Sequence, residues 1–305
     1  MIKINQLSKN FNNGKGIFDL SFEVKKGEVF GFLGPNGAGK STTIRNLIGF
    51  TKPTSGEAFI GGFNCWTESD RIQKITGYLP GEIAFIDNMN GLQFLKLIGD
   101  MKGIKDTMKR DELIRRLQFD VKTPIRKMSK GMKQKVGIVA AFMHQPEVLI
   151  LDEPTSGLDP LMQQIFIELV LEEKRKGTTI LMSSHMFQEV EKTCDRVAII
   201  KDGKLVSIEN VHDLRTHQRK VIEVTADSQE SIAFLRKSNL LIENISDLTA
   251  SIVVQGDYNN FIQILSCIGV MNIQVRNMDL EDLFMHYYNP TKLASTFNKK
   301  ELIAK

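Results

Sequence analysis

Apolar and polar positions alternate near the start of the chain. In FDLSFEV, Phe18, Leu20, Phe22 and Val24 fall on one face at period two, the pattern of a half-buried strand. KKGE then supplies a turn, and VFGFL follows as a compact apolar strand. From about Gly91 to Ala141 the period changes to that of a helix. Phe94, Leu95, Ile98 and Met101 share one face, and Leu113, Ile114 and Leu117 share another. VLIL then predicts a short buried strand, residues 161–176 a helix stopped by Gly177, and TTILMSS a further strand. Strand, helix and strand in that order imply a right-handed parallel crossover and an α/β core. VAIIKDGKLV reads as a hairpin turning at Asp202 and Gly203.

Beyond this hairpin the texture shifts. KVIEVTAD, SQESIAFLRKSN, LIENIS, ASIVVQG, YNNFIQILSCIG and VMNIQVRN read strand, helix, strand, strand, helix, strand, the order of a split βαβ module. The expected organisation is a first domain over 1–215 with a helical subdomain at about 85–140, a small α+β domain over 216–290, and a tail over 291–305.

One segment resists a plain helical reading. In MSKGMKQKVGIVAAF, Met132, Val136, Val139, Ala140 and Met143 recur at spacings of three and four, with Ser129 placed as N-cap. Lys130, Lys133 and Lys135 crowd the first turns, where the helix dipole favours acidic residues instead. Either the lysines fan out into solvent, or an anion sits at this helix start.

Composition narrows the function classes. Of 305 residues, 42% are hydrophobic and 25% charged, and the net charge is +4. This suits a globular chain and makes no case for nucleic acid as a partner. Three cysteines, Cys65, Cys194 and Cys267, are scattered and odd in number, so neither a disulfide framework nor a metal box is expected. MIKINQLSKNF does not read as a signal peptide, and apolar runs such as VGIVAAFM are too short to span a bilayer. A soluble, cytoplasmic chain is the expectation.

The strongest chemical signal is GPNGAGKST, comprising Gly34, Pro35, Asn36, Gly37, Ala38, Gly39, Lys40, Ser41 and Thr42. It fits G-x-x-x-x-G-K-[ST] and lies between the strand VFGFL and a helix carrying Ile44, Leu47 and Ile48. Its glycines let backbone N–H groups approach phosphate oxygens, Lys40 can reach the β- and γ-phosphates, and Ser41 can bind Mg²⁺. More than a hundred residues on, VLILDEP ends an apolar strand in two carboxylates, Asp152 and Glu153. At the edge of a parallel sheet, Asp152 can hold a metal and Glu153 can polarise an attacking water. His185, ending the next strand in LMSSHM, can touch the same γ-phosphate.

With these pieces in place, residues 1 to about 220 resemble the ATPase subunits of ATP-binding cassette (ABC) transporters. GPNGAGKST looks like the Walker A motif, VLILDEP like Walker B with its following glutamate, SGLDP with Asp159 like the D-loop, and SSH like the switch histidine. MSKGM falls where the LSGGQ signature belongs. Ser129 and Gly131 match it, while Met128, Lys130 and Met132 depart from it. In that family the signature of one protomer closes over the γ-phosphate held by the other, which would supply the anion that the lysines lack.

The resemblance implies a P-loop NTPase core with N-terminal antiparallel strands, a helical subdomain, and ATP and Mg²⁺ as cofactors. It also implies a homodimer or heterodimer of cassettes on the inner face of the cell membrane, working with a separate transmembrane permease. Phe11 stands where the family stacks a tyrosine on adenine. Gly81 stands where the family has a magnesium-contacting glutamine, so either the neighbouring Glu82 takes that role or the loop acts through its backbone. The tail DLEDLFMHYY, residues 279–288, resembles the end of export-type members, although Leu280, Leu283, Phe284 and Tyr287 on one face also suit core packing. Two alternatives stand beside an exporter ATPase: a soluble ABC ATPase acting on ribosomes or nucleic acid, and a nucleotide-gated scaffold with negligible hydrolysis.

Overall fold

β1 (Ile2–Asn10) and β2 (Gly16–Val24) pair antiparallel in the computed structural model, which describes residues 1–11, 14–86, 88–216, 220–254 and 258–277. β3 (Val29–Leu33) leads into α1 (Lys40–Leu47), followed by β4 (Ser55–Ile60), β5 (Phe63–Asn64), α2 (Ser69–Ile75) and β6 (Thr76–Leu79). A helical stretch comes next, with α3 (Gly91–Met101), α4 (Met108–Leu117) and α5 (Lys130–Phe142). β7 (Val148–Asp152), α6 (Pro160–Arg175), β8 (Thr179–Ser184), α7 (Phe187–Thr193), β9 (Arg196–Lys201), β10 (Lys204–Asn210) and α8 (Val211–Thr216) complete the series. The chain divides into two compact units, Met1–Val211 and the part from His212 onward.

Two sheets build the first unit. One is antiparallel, in the order β2-β1-β4-β5. The other runs β10-β9-β3-β8-β7-β6, with its five inner and far strands parallel and β10 antiparallel at one edge. β3, β7 and β8 are buried along their whole length, as strands covered on both faces must be. Phe22, Phe30 and Phe32 join Ile4, Leu20, Ile44 and Ile150 in a core between the two sheets. The β9–β10 hairpin turns where the sequence predicts: Asp202 and Gly203 have φ of 49° and 74°, the two left-handed residues of a tight hairpin turn.

Three details depart from the sequence pattern. In β2, Asp19 has φ of 52° and the pairing with β1 shifts register there. Ile17 rather than Phe18 therefore enters the core, because an irregular residue inverts the alternation before it. Met101 is exposed although it shares the α3 face of Phe94 and Leu95; it is the last residue of the helix, beyond the packed turns. α5 is not an amphipathic surface helix. Gln134, Val136, Gly137, Ile138, Val139, Ala141 and Phe142 are buried, since α3, α4 and β6 all pack against it.

The second unit contains β11 (Lys220–Ala226), α9 (Gln229–Lys237), β12 (Leu241–Ser246), β13 (Thr249–Val254), α10 (Asn259–Leu265) and β14 (Val270–Asn277). Its sheet is antiparallel in the order β12-β13-β11-β14, the split βαβ arrangement. Ile222, Val224, Leu235, Ile252 and Phe261 form a core of its own. The tail residues 279–288 lie outside the described residues. All three cysteines are free. Among the described residues no helix is long and apolar enough to cross a membrane.

Candidate functional site

The glycine-rich turn begins where β3 leaves the sheet. A Cβ on Gly34 would lie 2.5 Å from the Ile200 carbonyl oxygen, so no larger residue fits without moving β9. Gly39, at φ 107°, precedes α1, which has neither a side-chain cap nor an acidic residue in its first turn. Its first N–H groups therefore lack the usual side-chain acceptor and offer an anion site. Pro35, Asn36 and Gly37 are exposed at the tip, Ala38 is buried, and Ser41 and Thr42 are half-buried.

Lys40 is 5% exposed. Its Nζ donates to the carbonyls of Gly34 at 2.6 Å and Pro35 at 3.3 Å, and lies 3.1 Å from Glu153 Oε1.

Glu153 stands at the centre of the site. β7 and β8 run parallel with Asp152 beside Ser183. The Ser183 hydroxyl donates to Asp152 Oδ1 at 2.6 Å and accepts from the Glu153 N–H at 3.0 Å. One small side chain thus fixes both carboxylate residues. Glu153 is held at φ 50°, a region uncommon for residues other than glycine and concentrated at functional sites. Its Oε2 lies 2.5 Å from His185 Nδ1. Glu153 is thereby gripped from one side by an ammonium and from the other by an imidazole, and its carboxylate can accept a proton.

Gly81 lies on the other side of Asp152, where an added Cβ would be 3.4 Å from Asp152 Oδ2; Glu82 beside it is exposed. Among the described residues no group of three or more His, Cys, Asp or Glu converges on one metal position. The Asp152 carboxylate and the Ser41 hydroxyl are the hard oxygen donors that Mg²⁺ accepts alongside water and phosphate.

The MSKGM segment builds a second cluster. Ser129 caps α5, its Oγ accepting from the Met132 N–H at 3.2 Å. Lys130 Nζ donates to Ser156 Oγ at 3.0 Å, and a Cβ on Gly131 would meet the Gly157 carbonyl oxygen at 2.7 Å. The segment therefore touches the turn that ends at Asp159, whose carboxylate caps α6 through the Met162 N–H. Gln134, which sequence reasoning passed over, bridges the two clusters by donating to the Pro154 carbonyl at 2.7 Å. Ser183 was also missed, although it stands in the same SSH motif as His185. Phe11 is 41% exposed, with Lys9 Nζ 5.5 Å from its ring centre. Nearby Gly16 closes against the phosphate loop, its carbonyl oxygen 3.5 Å from a Cβ placed on Gly39.

Residues 17–156 match the family model described as ABC transporter. The bacitracin transport ATP-binding protein BcrA of Bacillus licheniformis is 34% identical over 93% of this chain and 96% of its own length. The linearmycin resistance ATP-binding protein LnrL of Bacillus subtilis is 31% identical over 94% and 97%. A solved ATP-binding subunit of an ABC transporter is similar at 31% identity and TM-score 0.65, covering 70% of this chain and 92% of that one.

Proposed function

Because the chain belongs to the ATP-binding proteins of ABC transporters, whose activity is ATP hydrolysis, we propose that it powers an exporter whose permease is a separate chain. The relatives named for bacitracin transport and linearmycin resistance support an antimicrobial compound as cargo. In this reading two cassettes, two copies or one with a sister chain, enclose two ATP molecules. They work in the cytoplasm against the inner face of the membrane, with no nucleic acid involved.

The observation that carries the reading is the convergence of Lys40 and His185 on Glu153. Phe11 stacks on adenine, and the backbone from Gly34 to Gly39, together with Lys40 and Thr42, holds the phosphates. Mg²⁺ would be held by Ser41 and Asp152, with Glu82 as a further oxygen donor. When bound, the ion neutralises charge on the phosphates.

As ATP arrives, the Lys40 ammonium exchanges the Glu153 carboxylate for phosphate oxygens and keeps its carbonyl partners. Glu153 is then free to take a proton from the attacking water. The His185 Nδ1–H keeps that carboxylate oriented. Ser129, Gly131 and Asp159 complete the partner cassette's site.

Replacing Glu153 by Gln tests the assignment. Phosphate release should fall by about 10² or more, the usual weight of a general base, while ATP binding persists. Turnover equal to wild type would remove Glu153 from the role of base. Purified from mildly solubilised cells, the same variant should bring a polytopic membrane protein with it. Ribosomal partners without one would overturn the transport reading.

A further inference from the structure

α7 carries a carboxylic acid for which the proposed chemistry has no use. Glu189 lies four residues past His185 and is 4% exposed. Its Oε2 accepts from the Ser184 hydroxyl at 2.6 Å, while Oε1 is buried without a hydrogen-bond partner among the described residues. Ser184 Oγ also accepts from the Met186 N–H at 2.9 Å. A single side chain thus pins the backbone on both sides of His185, and Glu189 in turn pins that side chain. The Thr155 hydroxyl favours the charged form of Glu189. Thr155 is itself buried, two residues beyond Glu153.

We infer that Glu189 is a positioning residue of the Glu153–His185 pair, bracketing through Ser184 the strand end that presents His185. The inference rests on the proposed role of Glu153 as base. The electrostatics agree with the geometry. Burial above all, with the charge of Glu153 adding to it, pushes the Glu189 carboxyl up to about 7 against the opposing pull of Ser184, Thr155 and His185. Cys194, at the other end of α7, also feels its charge. The charges of Glu153 and His185 thus both reach the Glu189 carboxyl.

The test measures steady-state ATP hydrolysis by the full chain as Glu189→Ala, Glu189→Gln and Ser184→Ala. Glu189→Ala should lower kcat by about 10- to 100-fold, the scale expected when reacting groups lose alignment, with KM for ATP unchanged. Glu189→Gln keeps an amide oxygen to accept from Ser184. It should recover most of kcat at the plateau while losing the inflection near neutral pH. Ser184→Ala removes the same bond from the other side and carries the test if Glu189→Ala fails to fold.

A Glu189→Ala protein within twofold of wild type at every pH overturns the inference, as does Glu189→Gln if it is as impaired as Glu189→Ala. If Glu189→Ala does not fold, Ser184→Ala with wild-type kcat overturns it. Glu153→Gln run in parallel separates the two readings. Normal hydrolysis by that variant defeats the base assignment, whereas normal Glu189→Ala beside an inactive Glu153→Gln defeats only the bracket.

Discussion

Glu153 is where local and global demands conflict. A left-handed φ of 50° costs a non-glycine residue roughly 1–3 kcal/mol. Ser183, Lys40 and His185 together hold it there. Glu189 conflicts with its surroundings in another way, through burial of an acid. An unfolded chain ionises this carboxyl near its ordinary value of 4.5, the folded protein only near about 7. Between those values the native state binds the extra proton, so this contribution to stability is full below about 4.5, falls as pH rises, and levels off above about 7. The gap corresponds to about 3 kcal/mol. Urea unfolding of Glu189→Gln across that window should lack this decline. Parallel pH dependence in variant and wild type would show that Glu189 is not the group responsible.

At the scale of elements, a well-formed ion pair ties the helical stretch to the α/β core. Arg116 of α4 makes two bonds to the Glu172 carboxylate of α6, at 2.7 and 2.8 Å. These bonds hold the Arg116 guanidinium above its ordinary value and the Glu172 carboxyl below its own. Both side chains keep solvent contact, so a double-mutant cycle should return about 0.5–1 kcal/mol, shrinking with salt. Because the Glu172 carboxyl is depressed, the coupling should also disappear as pH falls below about 4.5. A cycle unchanged by salt and acid would mean that the pair contributes by packing alone. In α5 the N-cap prediction at Ser129 agrees with the structure, while the apolar spacing understates how much of the helix is buried. Capping depends on neighbours within one turn, whereas burial of Gln134 and Ile138 depends on β6 and two other helices.

Across the molecule, the two units have separate cores. Ile252 is fully buried in the second, so Ile252→Ala should destabilise that unit by about 2–5 kcal/mol and leave ATP hydrolysis by the first unit close to wild type. Calorimetry should show only one transition moving; a common shift of both would mean that the units unfold together.

The sequence by itself determined the phosphate loop, the paired carboxylates, the Ser129 helix cap, the Asp202–Gly203 turn and the order of strands and helices in the second unit. Each of these rests on residue types at short spacing. Only the tertiary structure decided that Lys40 and His185 meet on Glu153, that Ser183 fixes Asp152 and Glu153 together, and that Lys130 reaches Ser156. Those contacts join residues that parallel strand pairing and helix packing bring side by side from distant parts of the chain, so no local pattern encodes them.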